Sequence, residues 1–457
     1  MKKLTFATVL ILLIFGNFAT VKANSEPQKI ALNMIEAITK NDFENARKDF
    51  DVAMLNALSV QQFQMFWAQF QMMHGKFVTI SDFSETQEVE NFIMVFNKII
   101  FEQNTLKLRT VIVQNKETNK LEITGFFIDK VEKTEGYIYL DAKYVDKSKF
   151  SELEIALPPD AILQGRLTIP TNIPANQKIP AVVLVHGSGP QDFDVTISKN
   201  KVFRDIAYGL SSNGIAVLRY DKRTLVDKNI DVQNLTINEE TVFDAVEAVK
   251  FLRENFSHII GNIYVLGHSL GGFAMPRIAN TSNDAAGFIV VAGNSRDLGD
   301  VLIEQFEYLA SLNKQEEKTD EEKNSIDSIK NVEIEKVKRF QNKDFDENTS
   351  SDFLPLGMPA KYLLDLKNYN PVKEFSNEKR PILFLQGARD YQVTVEDFEI
   401  WNKELGKNSN TTFILFDDLN HLLQSGVGKS TPSEYLAKKN VAQEVIDAIV
   451  KWIFSEK

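Results

Sequence analysis

The stretch NIYVLGHSLGG, residues 262–272, places Ser269 between a run of strand-forming residues and a glycine-rich turn. Residues 262–266 are typical of a buried strand, and helix-forming residues follow the turn. A serine at the tip of such a strand–turn–helix unit has a strained backbone and an exposed hydroxyl. The residues two before and two after it, Gly267 and Gly271, must then be glycine to avoid collisions. The pattern predicts a nucleophilic serine; its alternative is an ordinary helix N-cap.

A base for this serine can be named by elimination, because the chain holds only five histidines. In strand–turn–helix sites of this kind the acid and then the histidine follow the serine along the chain. His421 is the one histidine far enough downstream to return to the sheet edge. Residues 411–416 are predicted to form a buried parallel strand, and His421 lies in the loop after it. We therefore expect His421 to be the base.

The acid is expected at the end of the preceding strand. Residues 380–386 are predicted to form that strand, and Asp390 follows it in the sequence GARD. Its carboxylate would then lie at the same sheet edge as His421. Other carboxylates near in sequence that could orient the imidazole instead are Glu396, Asp397, Asp417 and Asp418.

Donors for an oxyanion are predicted at a second glycine-rich turn, HGSGP, residues 186–190, which follows a predicted strand at 180–185. One donor would be the amide of Leu270, directly after the nucleophile. The other would be the amide of Ser188, or of Gly187 if the turn is shifted by one residue. Two further histidines and two aspartates lie near these turns. We expect the histidines, His186 and His268, to bond backbone in their own turns. We expect the aspartates, Asp192 and Asp194, to lie in a solvated loop rather than in a cation site.

Five short motifs stand in order along residues 155–457: HGSGP, RYDKR (219–223), GHSLGG, GARD and LNH (419–421). Together they resemble the α/β-hydrolase fold, and in particular bacterial serine esterases related to dienelactone hydrolases and prolyl-oligopeptidase-type catalytic domains. The resemblance implies hydrolysis of an acyl bond by Ser269, Asp390 and His421 through an acyl-enzyme, without metal or organic cofactor. Residues 426–430 partly resemble a phosphate-binding loop and residues 344–348 the start of a calcium-binding loop. Both segments lack residues that the motif requires, so neither site is predicted.

Composition bounds the possible partners and the compartment. The chain has 457 residues, 43% of them apolar, a formal net charge of −11 and no cysteine. A chain of this length predicts two domains, and its negative charge argues against nucleic acid or an anionic membrane as partner. Residues 1–23 have the pattern of a secretory signal, which predicts a periplasmic or secreted protein. An uncleaved membrane anchor is disfavoured because the apolar run is short and is broken at Gly16.

The mature chain divides into three blocks. Residues 24–131 are predicted to be a small α+β domain, with helices first and strands after, and this order resembles the cone-shaped nuclear-transport-factor-2-like domains. Its aromatic residues and His74 would line a pocket or simply form the core. A linker at 132–154 leads to the catalytic domain at 155–457, which has a mostly parallel sheet covered on both faces. Residues 298–370 are predicted to be a helical cap that selects the substrate, or else a solvated helical excursion.

The function predicted first is the hydrolysis of small carboxylic esters. A serine peptidase is the nearest alternative, since it would use the same chemistry on a peptide substrate. A third possibility, from another class, is a ligand-binding protein that retains a hydrolase scaffold without catalysis. The strained turn at Ser269 argues against this last reading, because a scaffold does not need it.

Overall fold

The computed structural model describes residues 25–455 except positions 90, 117, 135–138, 160–161, 175–176, 316–319, 343 and 368. The predicted signal peptide at residues 1–23 lies outside the described residues. The chain divides into two compact units, Met1–Ile138 and Tyr139–Lys457, each with its own apolar core. In the described ranges, no helix is both long and apolar enough to span a bilayer.

In its described residues, the first unit has four helices followed by a four-stranded antiparallel sheet whose strands pair in chain order. Apolar residues of the two long helices pack into one core, which contains Met34 and Ile35 as well as Phe63 and Trp67, whereas Phe66 stays partly exposed. Its elements are α1 (Glu26–Thr39), α2 (Phe43–Ala46), α3 (Val52–Ala57), α4 (Val60–His74), β1 (Phe77–Val89), β2 (Phe92–Phe101), β3 (Asn104–Gln114) and β4 (Leu121–Lys133).

An apolar pocket of about 380 Å³, counted with its open mouth, lies between α4 and the sheet of this unit. Phe63, Phe66, Trp67 and Phe70 line it, together with aliphatic side chains from α1 and the strands. His74 does not line this pocket. Its Nδ1 accepts a hydrogen bond from the Asn104 side chain at 3.0 Å, and burial lowers its pKa to about 4.

The second unit is built on an eight-stranded sheet with the order β14-β13-β12-β11-β7-β10-β6-β5. The six strands from β14 to β10 are parallel, and β6 and β5 continue the sheet as antiparallel strands. This confirms the predicted mostly parallel sheet. The strands of this sheet are β5 (Phe150–Leu157), β6 (Leu163–Pro170), β7 (Ile179–Val185), β10 (Ala216–Tyr220), β11 (Ile260–His268), β12 (Ala285–Val291), β13 (Ile382–Gly387) and β14 (Thr411–Phe416). Two short strands, β8 (Thr196–Ile197) and β9 (Asn200–Lys201), pair separately.

Helices cover both faces of this sheet. Alternate residues of β7 show the two sides, since Ala181 and Val183 belong to one core cluster and Val182 and Leu184 to the other. A central strand buried on both faces is apolar throughout. The helices are α5 (Val202–Ser212), α6 (Arg223–Val226), α7 (Phe243–Phe256), α8 (Leu270–Phe273), α9 (Met275–Thr281), α10 (Leu298–Gln315), α11 (Asp320–Gln341), α12 (Ala360–Leu366), α13 (Pro371–Phe375), α14 (Val395–Leu405) and α15 (Gln443–Ser455).

Two predictions, the extent of the linker and the burial of β14, need correction. The linker predicted at 132–154 includes the end of β4 and the start of β5, and β5 pairs with β6 along its whole length. The strand β5 lies at the edge of the sheet and exposes many of its residues, so its sequence resembles that of a linker. Likewise β14 is parallel, as predicted, but it is an edge strand and half exposed rather than buried.

The insertion between β12 and β13 contains α10 to α13. The segment predicted to be helical at 298–370 contains the helices α10, α11 and α12. Here Phe340, Leu354, Ala360 and Leu363 form a separate small apolar cluster. The helix α12 is joined to α9, just after the Ser269 turn, by Arg277 and Asp365, whose charged atoms lie 2.7 Å apart.

Candidate active site

Ser269 lies at the junction of β11 and α8 with φ 57° and ψ −119°, a left-handed conformation that is unfavourable for a residue with a side chain. Its amide donates to the carbonyl of Val291 at 2.9 Å, which ties the turn to β12. A Cβ at Gly267 would lie 2.2 Å from the carbonyl oxygen of Gly271, so this tight turn requires the glycine. Ser269 itself remains half-buried and accessible.

His421 and Asp390 meet in the loops after β14 and β13. The Nδ1 atom of His421 lies 2.6 Å from Oδ2 of Asp390, and both side chains are buried. The other carboxylate oxygen accepts the backbone amides of Gln392 at 2.8 Å and Val393 at 3.1 Å. These donors fix the carboxylate, which in turn fixes the tautomer of His421 with its proton on Nδ1. Nε2 is then left as a proton acceptor.

The alternative acids are engaged or positioned elsewhere. Arg296 binds Asp397 at 2.8 Å and Glu396 at 2.8 Å, and the fully buried Asp397 also accepts the amide of Ser295. Asp417 and Asp418 are exposed on the turn after β14. Of the carboxylates considered from the sequence, Asp390 is the one that the fold brings to His421.

His268 connects the serine turn to the histidine loop. Its Nε2 atom lies 2.8 Å from the carbonyl oxygen of His421, and the two rings are 4.7 Å apart between centroids. Burial, with a smaller contribution from His421, lowers the pKa of His268 to about 3. The expectation that His268 bonds backbone is confirmed, but its partner lies in the loop of His421 and not in its own turn.

His186 bonds backbone, as expected, but its partner lies beyond the turn at 186–190: its Nε2 lies 3.3 Å from the carbonyl of Asp192 in the same loop. Burial, and then the nearby Lys222 ammonium, lower its pKa to about 3. The loop that follows is not the solvated loop predicted. Asp194 is buried and pairs with Lys201 at 2.7 Å and with Arg219 at 3.0 Å. Cationic side chains of the protein thus neutralise this aspartate.

The turn predicted to supply oxyanion donors lies against the serine. A Cβ at Gly187 would be 3.1 Å from Cβ of Ser269 and 3.6 Å from its Oγ. Within the part of the chain that the structure describes, the amides of Gly187, Ser188 and Leu270 donate no hydrogen bond to the protein. Backbone donors beside an accessible serine are the arrangement that stabilises a tetrahedral oxyanion.

Two side chains at this site carried no prediction. Lys222 donates to the carbonyl of Gly187 at 2.7 Å, and Arg296 bridges the loop after β12 to α10 through Glu304 at 2.6 Å. Lys222 belongs to the motif RYDKR, but nothing in that motif indicates a hydrogen-bond partner 35 residues away. A buried lysine is costly unless it is paired, so a lysine close to the end of a buried strand was the available signal for an ion pair.

The N-terminal unit matches a family model described as "Protein of unknown function (DUF3887)", over residues 31–122. The whole chain is similar to esterase EstD of Thermotoga maritima. The two are 38% identical over 427 residues, which cover 93% of this chain and 94% of that protein.

Among solved structures the chain is similar to Est1E from Butyrivibrio proteoclasticus, with a TM-score of 0.42 and 16% identity, covering 66% of this chain and 98% of that one. It is also similar to the Pyrococcus horikoshii acylaminoacyl peptidase, with a TM-score of 0.42 and 13% identity, covering 74% of this chain and 52% of that one.

Proposed function

This chain belongs to the family of esterase EstD and is a serine hydrolase of the α/β-hydrolase fold, and from that premise we propose that Ser269, His421 and Asp390 carry out its ester hydrolysis. The observation that supports this assignment best is the 2.6 Å contact between His421 Nδ1 and Asp390 Oδ2, in a loop whose backbone is bonded to His268, the neighbour of Ser269.

In the proposed reaction, Ser269 Oγ attacks the ester carbonyl carbon while Nε2 of His421 takes the hydroxyl proton. The carbonyl oxygen becomes an oxyanion and accepts hydrogen bonds from the amide of Leu270 and from the turn at Gly187 and Ser188. The bond to the leaving oxygen then breaks, and the histidine gives its proton to the departing alcohol. Asp390 stabilises the imidazolium in between.

Water completes the cycle. His421 removes a proton from a water molecule that attacks the acyl-enzyme, a second oxyanion forms, and its collapse releases the carboxylic acid and returns the proton to Ser269. The cycle is balanced by the ester and water alone.

The test is Ser269→Ala assayed on a series of p-nitrophenyl esters of increasing acyl length and, in parallel, on aminoacyl p-nitroanilides. We expect the wild type to cleave the esters in preference to the anilides and the variant to lose about 10⁶-fold in kcat. Ser257→Ala, a partly buried serine just after α7, is the matched control and should keep full activity.

Fluorophosphonate labelling separates the remaining possibilities. A wild type that is labelled while Ser269→Ala is not supports an enzyme rather than a binding protein on a hydrolase scaffold. Preference for anilides over esters would instead assign a peptidase, and unchanged ester turnover by Ser269→Ala would remove the serine from its proposed role.

We also propose that the chain is exported, on the sequence pattern of residues 1–23 alone. Expression in a bacterial host with separate analysis of the periplasm and medium tests this proposal. N-terminal sequencing should find the mature chain to start after Ala23, and a cytoplasmic protein with an intact Met1 would contradict it.

A further inference from the structure

Lys222 has a buried ammonium group beside the candidate oxyanion turn. It lies just beyond β10, after Asp221, and is 2% exposed; its Nζ donates to the carbonyl of Gly187 at 2.7 Å and to Oε1 of Glu240 at 2.6 Å. Burying an ammonium ion is unfavourable unless strong partners surround it, so this placement needs an explanation.

Glu240 holds the ammonium in place from the other side. It lies in the single π-helical turn Asn238–Val242 that precedes α7 and is itself 7% exposed. Such turns shift side-chain directions by one position and are frequent at functional sites. The pairing of Lys222 with Glu240 is thus a rigid, desolvated ion pair, and one of the ammonium hydrogens remains for Gly187.

The segment after β10 also holds the rest of the loop after β7. The amide of Lys222 donates to the carbonyl of Gln191 at 3.0 Å, and the carboxylate of Asp221 accepts the amide of Phe193 at 2.9 Å. The contact with Gly187 is therefore one of three that fix the path of this loop, and it is the one nearest to Ser269.

The bond to the Gly187 carbonyl has a geometric consequence for its neighbour. The carbonyl of Gly187 and the N–H of Ser188 belong to one planar trans peptide group, and they point in opposite directions. An ammonium that holds the carbonyl on one side therefore turns the N–H of Ser188 to the other side. A charged donor on the carbonyl also polarises the peptide and strengthens the N–H as a donor.

We propose that Lys222 is a positioning residue for the oxyanion hole, which holds the peptide between Gly187 and Ser188 so that the N–H of Ser188 faces the oxyanion formed at Ser269. This inference rests on the proposed function and selects Ser188 over Gly187 as the second donor. Without Lys222 this peptide can rotate, and its carbonyl would then present a negative end to the oxyanion.

The test compares Lys222→Met/Glu240→Gln, which removes the pair without leaving a buried charge, with the wild type on p-nitrophenyl acetate. Rates are expressed per active site titrated with a fluorophosphonate, so that unfolded molecules are not counted. We expect kcat to fall about 10²-fold with KM within about twofold, because the lost contact acts on the transition state. Affinity for a trifluoromethyl ketone, whose adduct forms the same oxyanion, should fall by a similar factor.

The matched control is Arg380→Met/Glu378→Gln, which removes an ion pair of 2.6 Å at the opposite, amino end of β13. It should change stability but not kcat per site. Lys222→Arg keeps a charged donor and should retain at least about a tenth of wild-type kcat, and Lys222→Met alone replaces the double variant if the latter does not fold.

The two proposals fail separately. Turnover and ketone affinity within about twofold of wild type in the variants that carry Lys222→Met, with Ser269→Ala inactive, would overturn the role of Lys222 and leave the proposed function intact. An active Ser269→Ala would overturn both.

Discussion

The Nε2 atom of His268 lies 2.8 Å from the carbonyl oxygen of His421, so the residue before the proposed nucleophile holds the backbone of the proposed base. This bond requires the proton of His268 to be on Nε2. Since burial lowers its pKa to about 3, the imidazole is neutral at ordinary pH and its tautomer is fixed by this one acceptor.

Replacement of His268 by Phe is expected to lower kcat about tenfold with little change in KM. The ring is kept, but the His421 carbonyl loses a buried donor, which costs roughly 1–2 kcal/mol, and the loop can move relative to Ser269. Ester hydrolysis at saturating substrate is the measurement. His258→Phe, at an exposed histidine, is the matched control. Unchanged kcat in His268→Phe would show that the bond does not position the base.

Two buried neutral histidines should make the protein sensitive to acid. The pKa values of His186 and His268 are both lowered to about 3, whereas the unfolded chain has a histidine pKa of about 6.5. Between these values the unfolded state binds more protons, so the free energy of unfolding rises with pH through this window and is fully regained above about pH 6.5.

Each of these histidines contributes one proton, or about 1.4 kcal/mol per pH unit, to that slope. We therefore predict that His186→Gln has a shallower rise in the free energy of unfolding between pH 4 and 6, by about that amount. Urea unfolding of both proteins across this range measures it. Parallel curves for the two proteins would mean that His186 is not buried in its neutral form.

Two aspartates only seven residues apart should have opposite phenotypes. Asp390→Asn is expected to lose about 10⁴-fold in kcat with little loss of stability, because the amide no longer fixes the proton of His421 on Nδ1. Asp397→Asn should keep kcat per titrated site but lose roughly 2–4 kcal/mol of stability, since Arg296 loses a buried charged partner.

Active-site titration, steady-state kinetics and urea unfolding of both variants distinguish the two roles. Loss of kcat in Asp397→Asn together with normal turnover in Asp390→Asn would show that Asp390 is not the carboxylate that orients His421.

The sequence predicted those parts of the fold whose cause is local. A strand buried on both faces is continuously apolar, as in β7, and the carboxyl ends of β11, β13 and β14 place Ser269, Asp390 and His421 at one sheet edge. Strands with one exposed side were harder to predict. The edge strand β5 begins inside the predicted linker, because its exposed residues interrupt the apolar pattern of a strand.

The supporting contacts of the site could not be predicted, because they join residues far apart in sequence. His268 and His421 are separated by 153 positions, and the partner of His268 is a backbone carbonyl that every residue possesses. The buried state of Asp194 depends on Arg219, which is 25 positions away and approaches it only once β10 has packed. The sequence thus predicts which groups react, whereas the contacts that hold these groups depend on how the loops pack.

The glycines around Ser269 provide a last prediction with graded outcomes. A Cβ at Gly267 would lie 2.2 Å from the carbonyl of Gly271, and one at Gly271 would lie 2.4 Å from the carbonyl of Val185, so neither can be accommodated without moving backbone. We expect alanine at either position to cost more than about 4 kcal/mol or to prevent folding. Thermal unfolding of the purified variants measures this.

Alanine at Gly187 should behave differently, because its Cβ would lie 3.1 Å from the Cβ of Ser269, a contact that small shifts relieve. This variant should fold and lose kcat, since the shift displaces either the nucleophile or the oxyanion turn. Gly261→Ala, whose added Cβ would lie 3.3 Å from Cβ of Lys178 and 3.8 Å from the carbonyl oxygen of Ile179, is the milder control and should cost little stability and leave kcat unchanged. If Gly267→Ala were as stable as Gly261→Ala, the tight turn that presents Ser269 would be wrong, because no relaxed version of that turn leaves room for the methyl group.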